Sequence, residues 1–229
     1  IKNYLAKTYD FEITDYEKVE FTSLPQPKIQ FHNTIINIKS SKIQSNVKKL
    51  EIYPKLLSIY NFNNFQSKKI ILKNSNINLD YKYLKILLKN IIVKNERLFF
   101  DNLNINILNN DKFLVKINNL KFSNYGYKRN FVEGKIFERK LKIKINEKLD
   151  NVNFKLLNSG IKIDIDLANQ TNNIIKGFLK SKILNSNLKF NFEYDGEVLK
   201  VNNSFFRSKN ISFKNESIIT IKPFLDLKY

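Results

Sequence analysis

Apolar and polar residues alternate with a period of two along most of the chain. Leu103, Ile105 and Ile107 alternate with Asn104, Asn106 and Leu108, and Phe113, Val115 and Ile117 alternate with Leu114, Lys116 and Asn118. The cleanest runs come later. Leu141, Ile143 and Ile145 are separated by Lys142 and Lys144; Ile161, Ile163 and Ile165 by Lys162 and Asp164; Leu188, Phe190 and Phe192 by Lys189 and Asn191. Side chains two apart point to the same side of an extended strand, so each run presents an apolar face and a charged or amide face. Sheets wetted on one side have this pattern. Pairs such as Asn109-Asn110, Ser159-Gly160 and Asp195-Gly196 separate the runs and predict turns. Asp195-Gly196, between Tyr194 and Val198, is the clearest hairpin signal, because both residues tolerate positive φ.

The first third adds helix signals to strand-like pieces at Lys28–His32, Ile35–Ile38, Val47–Ile52 and Lys69–Lys73. Pro54 followed by Leu56, Leu57 and Tyr60 predicts a short helical turn. Asp80 is placed to cap a helix over Tyr81–Lys89, with Leu84, Leu87 and Leu88 on one face, after which Ile91–Val93 resumes strand character. The expected fold is therefore mainly β. It is an extended, curved antiparallel sheet, open as a trough or sandwich-like, with one or two short helices in the first 90 residues. Residues 1–229 read as one continuous β-rich segment with a weak seam near 90–97, and no repeat of fixed period is visible.

Composition narrows the function classes. The 229 residues are 42% hydrophobic, enough for a packed core. The net charge of +19 attracts nucleic acid or anionic membrane surfaces. Abundant Lys, Asn and Ile also fit the coding bias of an AT-rich genome, and the lysines are dispersed rather than gathered in one block. With no Cys, disulfides, thiolate metal sites and thiol nucleophiles are excluded. The chain opens on Ile1 and contains no Met, which suggests a segment of a longer precursor. Its apolar runs fall short of the roughly 20 residues of a membrane span, so a membrane anchor is expected outside these residues.

Catalytic patterns do not emerge. His32 is the single histidine, too few for a metal cluster or a triad, and reads as a partly exposed strand residue. The five glycines are scattered and form no phosphate-cradling loop. Asp164 and Asp166 share one strand face, read as solvated. Phe205, Phe206 and Arg207, or Tyr125, Tyr127, Lys128 and Arg129, could serve a single-strand nucleic-acid surface. Most aromatics, however, share the phase of Ile and Leu, so no specific nucleic-acid partner is expected, and neither is a cofactor.

Residues 25–80 taken together resemble the N-terminal region of AsmA-like proteins. The resemblance rests on Pro25 leading a strand to Phe31, on Val47–Ile52 running into Tyr53-Pro54 and a short helix, and on Ile70–Leu79 closing on a turn. The remainder, with Phe122–Gly126, Gly134–Phe137 and Ser204–Phe213, is similar in architecture. The resemblance implies a periplasmic β structure anchored in the inner membrane, related to bridge-like lipid-transfer proteins and to outer-membrane assembly. Such proteins bind phospholipid or another membrane lipid along a repeating β groove with an apolar inner wall.

The alternation leads to a similar place. Many apolar strand faces must be covered by a second sheet, by helices or by ligand, and two short helices are too few. The sheet then either closes a conventional core, as in a structural or protein-interaction domain, or leaves its face open to acyl chains. The candidate lipid contacts are Leu103, Ile105, Ile107, Phe113, Val115, Ile117, Leu141, Ile143, Ile145, Ile161, Ile163, Ile165, Leu188, Phe190 and Phe192.

Overall fold

The computed structural model describes residues 1–39, 43–58, 65–92, 96–168, 174–220 and 226–228, without the side chains of Leu57 and 226–228. The chain is mainly β and divides into two compact units, Ile1–Glu138 and Arg139–Tyr229. In each, the strands form an open, curved sheet that does not close on itself. Residues 90–97, where the sequence suggested a seam, lie inside the first unit, and the division falls at Glu138/Arg139.

The first unit opens with α1 (Lys2–Tyr9), followed by β1 (Phe11–Asp15), β2 (Lys18–Thr22), β3 (Lys28–Ile38) and β4 (Ile43–Pro54). A 3₁₀ turn at Leu56–Ser58 leads to β5 (Ser67–Asp80), a second one at Tyr81–Tyr83 to α2 (Leu84–Ile92), and then come β6 (Arg97–Asn109), β7 (Lys112–Ser123) and β8 (Phe131–Ile136). Its sheet runs β1-β3-β4-β5-β6-β7-β8, with β2 also beside β3. The pairs are antiparallel except β5 and β6, which run parallel because α2 carries the chain back across the sheet. One parallel pair among antiparallel ones agrees with the mainly antiparallel sheet read from the sequence.

The helix forecasts need correction in detail. Helix α1 was not among the expected helices; it buries Leu5 and Tyr9. Pro54 ends β4 instead of starting a helix, and Tyr60 lies outside the described residues. Asp80 does cap: its carboxylate accepts from the backbone N–H of Lys82. The buried stripe of α2 is Leu87, Ile91 and Ile92, while Leu84 is exposed, so Ile91 continues the helix and not a strand; Val93 lies outside the described residues. Asn124 fixes the end of α2. Its side chain donates to the carbonyls of Ile91 and Glu96 and accepts from the N–H of Leu98.

Asparagine kinks keep the inner face of this sheet in phase. Lys28–His32 and Ile35–Ile38 are one strand, β3, broken at Asn33 (φ 45°). Asn74 on β5 and Asn102 on β6 adopt the same left-handed conformation (φ 52° and 61°) at neighbouring positions. Each inserts one residue, so Leu72 and Ser75, or Phe100 and Leu103, share a face although three apart. Asparagine tolerates this conformation better than most residues. On the outer face, Asn102, Asn104 and Asn106 donate through Nδ2 to Asn74, Asn76 and Asn78 of the parallel neighbour, an amide ladder.

The inner face is a closed core. Ile36, Val47, Leu50, Ile52, Ile70, Ile77, Leu79 and Leu98 are all buried. The outer face carries a buried acid, Glu51. Burial pushes its pKa up, but Lys73 Nζ at 3.0 Å, the Tyr53 hydroxyl at 3.1 Å and Lys49 outweigh that and hold the carboxyl below the usual range. Gln30 donates to the same carboxylate at 3.2 Å. Burial and the carboxylate together push the Tyr53 hydroxyl up to about 12.

The second unit holds no helix among its described residues. Its strands are β9 (Arg139–Ile145), β10 (Asn151–Leu156), β11 (Ile161–Leu167), β12 (Ile175–Ile183), β13 (Ser186–Tyr194), β14 (Val198–Arg207), β15 (Ser212–Thr220) and β16 (Asp226–Lys228). They pair antiparallel in sequence order. Asp195-Gly196 makes the expected hairpin between β13 and β14: Gly196 has φ 107°, and the Asp195 carboxylate accepts from the N–H groups of Glu197 and Val198.

Candidate functional site: an apolar sheet face

In the second unit the cross-strand register lines up the apolar phases of successive strands. Ile143 stands opposite Phe154, Phe154 opposite Ile163, and Ile163 opposite Ser181, which faces Leu188. A second row runs Ile145, Val152, Ile165, Leu179, Phe190, and Leu141, Leu156, Ile161 and Ile183 form a third. Directly opposed residues share a face, so these rows are one continuous apolar surface. It continues through Phe192 opposite Val201 and through Phe206 opposite Phe213, whose rings stack at 5.1 Å.

This surface is only half covered. Leu141, Ile145, Leu156 and Val201 are buried, but Ile143, Ile161, Ile163, Ile165, Leu188, Phe190 and Phe192 are half-buried. They shield one another edge to edge, as Phe190 and Phe192 do with ring centroids 6.2 Å apart. Gly177 lies opposite Phe192, and a Cβ there would sit 2.8 Å from the ring's Cζ and 2.6 Å from the carbonyl oxygen of Asp166. The missing side chain lets the Phe192 ring lie across the strand and keeps the surface continuous.

The first-unit candidates divide differently. Leu103, Ile105 and Ile117 are buried in the closed core, and Ile107 and Val115 are half-buried beside it. Phe113 needs correction. The register slips between Ile107 and Leu108, which places Phe113 opposite Leu108 and off the row of Val115 and Ile117, 62% exposed. Of the fifteen candidates, Leu103, Ile105 and Ile117 serve the first unit's core, whereas most of the second unit's share lies half-buried on its apolar face.

The polar face of the second unit carries Lys142, Lys144, Lys155, Lys162, Lys180, Lys182 and Lys189. Asp164 pairs with Lys162 at 3.0 Å and so serves as a counter-charge on that face. His32 occupies the partly exposed strand position expected of it, with Nε2 3.1 Å from a Glu20 carboxylate oxygen. Among the described residues no group of His, Asp and Glu is arranged to hold a metal ion. A polar depression of about 440 Å³ on the first unit's outer face is lined by Gln44, Asn46, Asn76, Asn78, Asp80 and Tyr83.

The chain matches no protein-family model, no curated protein and no solved structure.

Proposed function

We propose that the chain is a non-enzymatic lipid-handling segment of AsmA-like character, working in the periplasm of a protein anchored in the inner membrane. The observation that carries this reading is the apolar surface of β9–β15, continuous in register and left half-buried in a unit with no helix among its described residues. Acyl chains laid on such a surface exchange water for hydrocarbon, which favours binding by roughly 0.8 kcal/mol per buried CH₂. The lysine-rich opposite face keeps the unit soluble around its cargo. The first unit's closed core supports a narrower role for that part, as a rigid scaffold or protein-contact domain.

Side-specific photo-crosslinking tests the reading. A benzophenone amino acid at Ile163 or Phe190 is expected to capture phospholipid in cells, whereas the same group at Lys144 or Asn191, exposed on the opposite face, is not. Equal capture on both faces, or capture on neither, would remove the lipid assignment.

A further inference from the structure

One end of the second unit's sheet gathers cations and exposed aliphatic side chains that folding does not call for. Lys142 stands opposite Lys155, Lys155 opposite Lys162, and Lys162 opposite Lys182; beyond Asn187 the same row ends on Arg207. Neighbouring strands lie about 4.8 Å apart, and like charges directly opposed across a sheet are destabilising. Asp164 neutralises Lys162, but Lys155, Lys182 and Lys189 make no ion pair among the described residues. The stability of the sheet does not explain this row.

The turns just beyond the row add a second, independent feature. Leu184, in the β12–β13 turn, has φ 53° and is 66% exposed. Asparagine or glycine suits that conformation, and a leucine there is costly both to the backbone and to its solvation. Its N–H donates to the carbonyl of Gly160, which sets the β10–β11 and β12–β13 turns side by side. Ile183 and, in the β14–β15 turn, Ile211 are exposed at the same end, followed by Phe213. Basic residues set one step behind exposed aliphatic tips match a lipid interface, where the tips enter the acyl boundary and the cations meet head groups. A single-stranded nucleic acid would instead need rings between the cations. Phe205 stands opposite Lys189, but the Lys142–Lys182 row carries none.

We propose that this end of the sheet is a docking edge for an anionic phospholipid bilayer, with Leu184 and Ile211 as the inserted tips and Lys155, Lys162 and Lys182 as head-group contacts. Ile183 and Phe213, at this end of the apolar face, are exposed beside the tips. Docking nevertheless stands independently of whether that face carries lipid.

Flotation of the whole chain with vesicles tests the proposal, using phosphatidylcholine alone and phosphatidylcholine with a one-third share of phosphatidylglycerol. Binding to the anionic vesicles is expected to fall steeply with salt and to be far weaker with the neutral ones. The triple variant K155Q/K162Q/K182Q should bind about a hundredfold more weakly, at about fivefold per lysine. L184N, which relieves the backbone and so folds at least as well, should bind about tenfold more weakly. Unchanged binding of either variant, equal binding to neutral vesicles, or tighter binding to a single-stranded RNA in physiological salt would overturn it. A chain that floats normally but fails to crosslink lipid at Ile163 would defeat the function proposed above and leave the docking edge standing.

Discussion

Replacing Phe190 by Asp separates an open apolar face from a closed core. Phe190 is half-buried, opposite Leu179 and beside the Phe192 ring. Full burial of a phenylalanine is worth about 1.5–3 kcal/mol, so half of that is about 1 kcal/mol, and the lost ring contact adds about 1 more. Poorer strand propensity contributes up to about 1 kcal/mol. The new carboxylate reaches water, so no burial penalty for charge is added. The sum is about 3 kcal/mol, a fall of roughly 6–12 °C in Tm for a chain of this size. Ile77→Asp is the control. Ile77 is 3% exposed in the first unit's core, and an unpaired carboxylate there forfeits the isoleucine's burial and costs several kcal/mol more, comparable to the whole stability of a domain. Thermal unfolding should therefore find Phe190→Asp folded and weakened, and Ile77→Asp unfolded at 25 °C. Unfolding of Phe190→Asp to the same degree would refute the half-open face.

Two further outcomes follow from the same geometry. Glu51 has a folded pKa below its ordinary value of 4.5, so its contribution is fully present above that pH and is lost as pH falls through the folded pKa; Glu51→Gln should cost about 1–2 kcal/mol at neutral pH and flatten the acid limb of the stability curve measured by urea titration. Gly177→Ala should cost about 1–3 kcal/mol because its Cβ meets backbone as well as the Phe192 ring, and the cost should shrink in a Phe192→Ala background, a coupling read by a double-mutant cycle.

The fold class was legible because alternation at Leu141–Ile145, Ile161–Leu167 and Leu188–Tyr194 reports strand faces directly. The features that shape the molecule were not. Asn33, Asn74 and Asn102 mark kinks, but asparagine is so frequent here that no single one stands out from the sequence. The parallel pairing of β5 and β6 depends on where α2 packs, and α2 ran on through Ile91 and Ile92, whose apolar run reads equally as strand. Phe113 was misplaced because a one-residue register slip turns a side chain to the other face. Which apolar faces stay uncovered is a matter of contacts distant in sequence, so Leu103 and Ile163 look alike in the chain and differ in the structure. The docking edge was hidden for the same reason: Lys142, Lys155, Lys162 and Lys182 are dispersed in sequence and meet only through strand pairing.

Native mass spectrometry of the purified chain, after exposure to mixed phospholipids, reads the lipid occupancy of the β9–β15 surface. Phospholipid adducts are expected on the wild type and should be lost from folded Phe190→Asp. A wild type that carries no lipid, or a Phe190→Asp variant that is folded and retains it, would contradict the assignment of the β9–β15 surface as a lipid-binding wall.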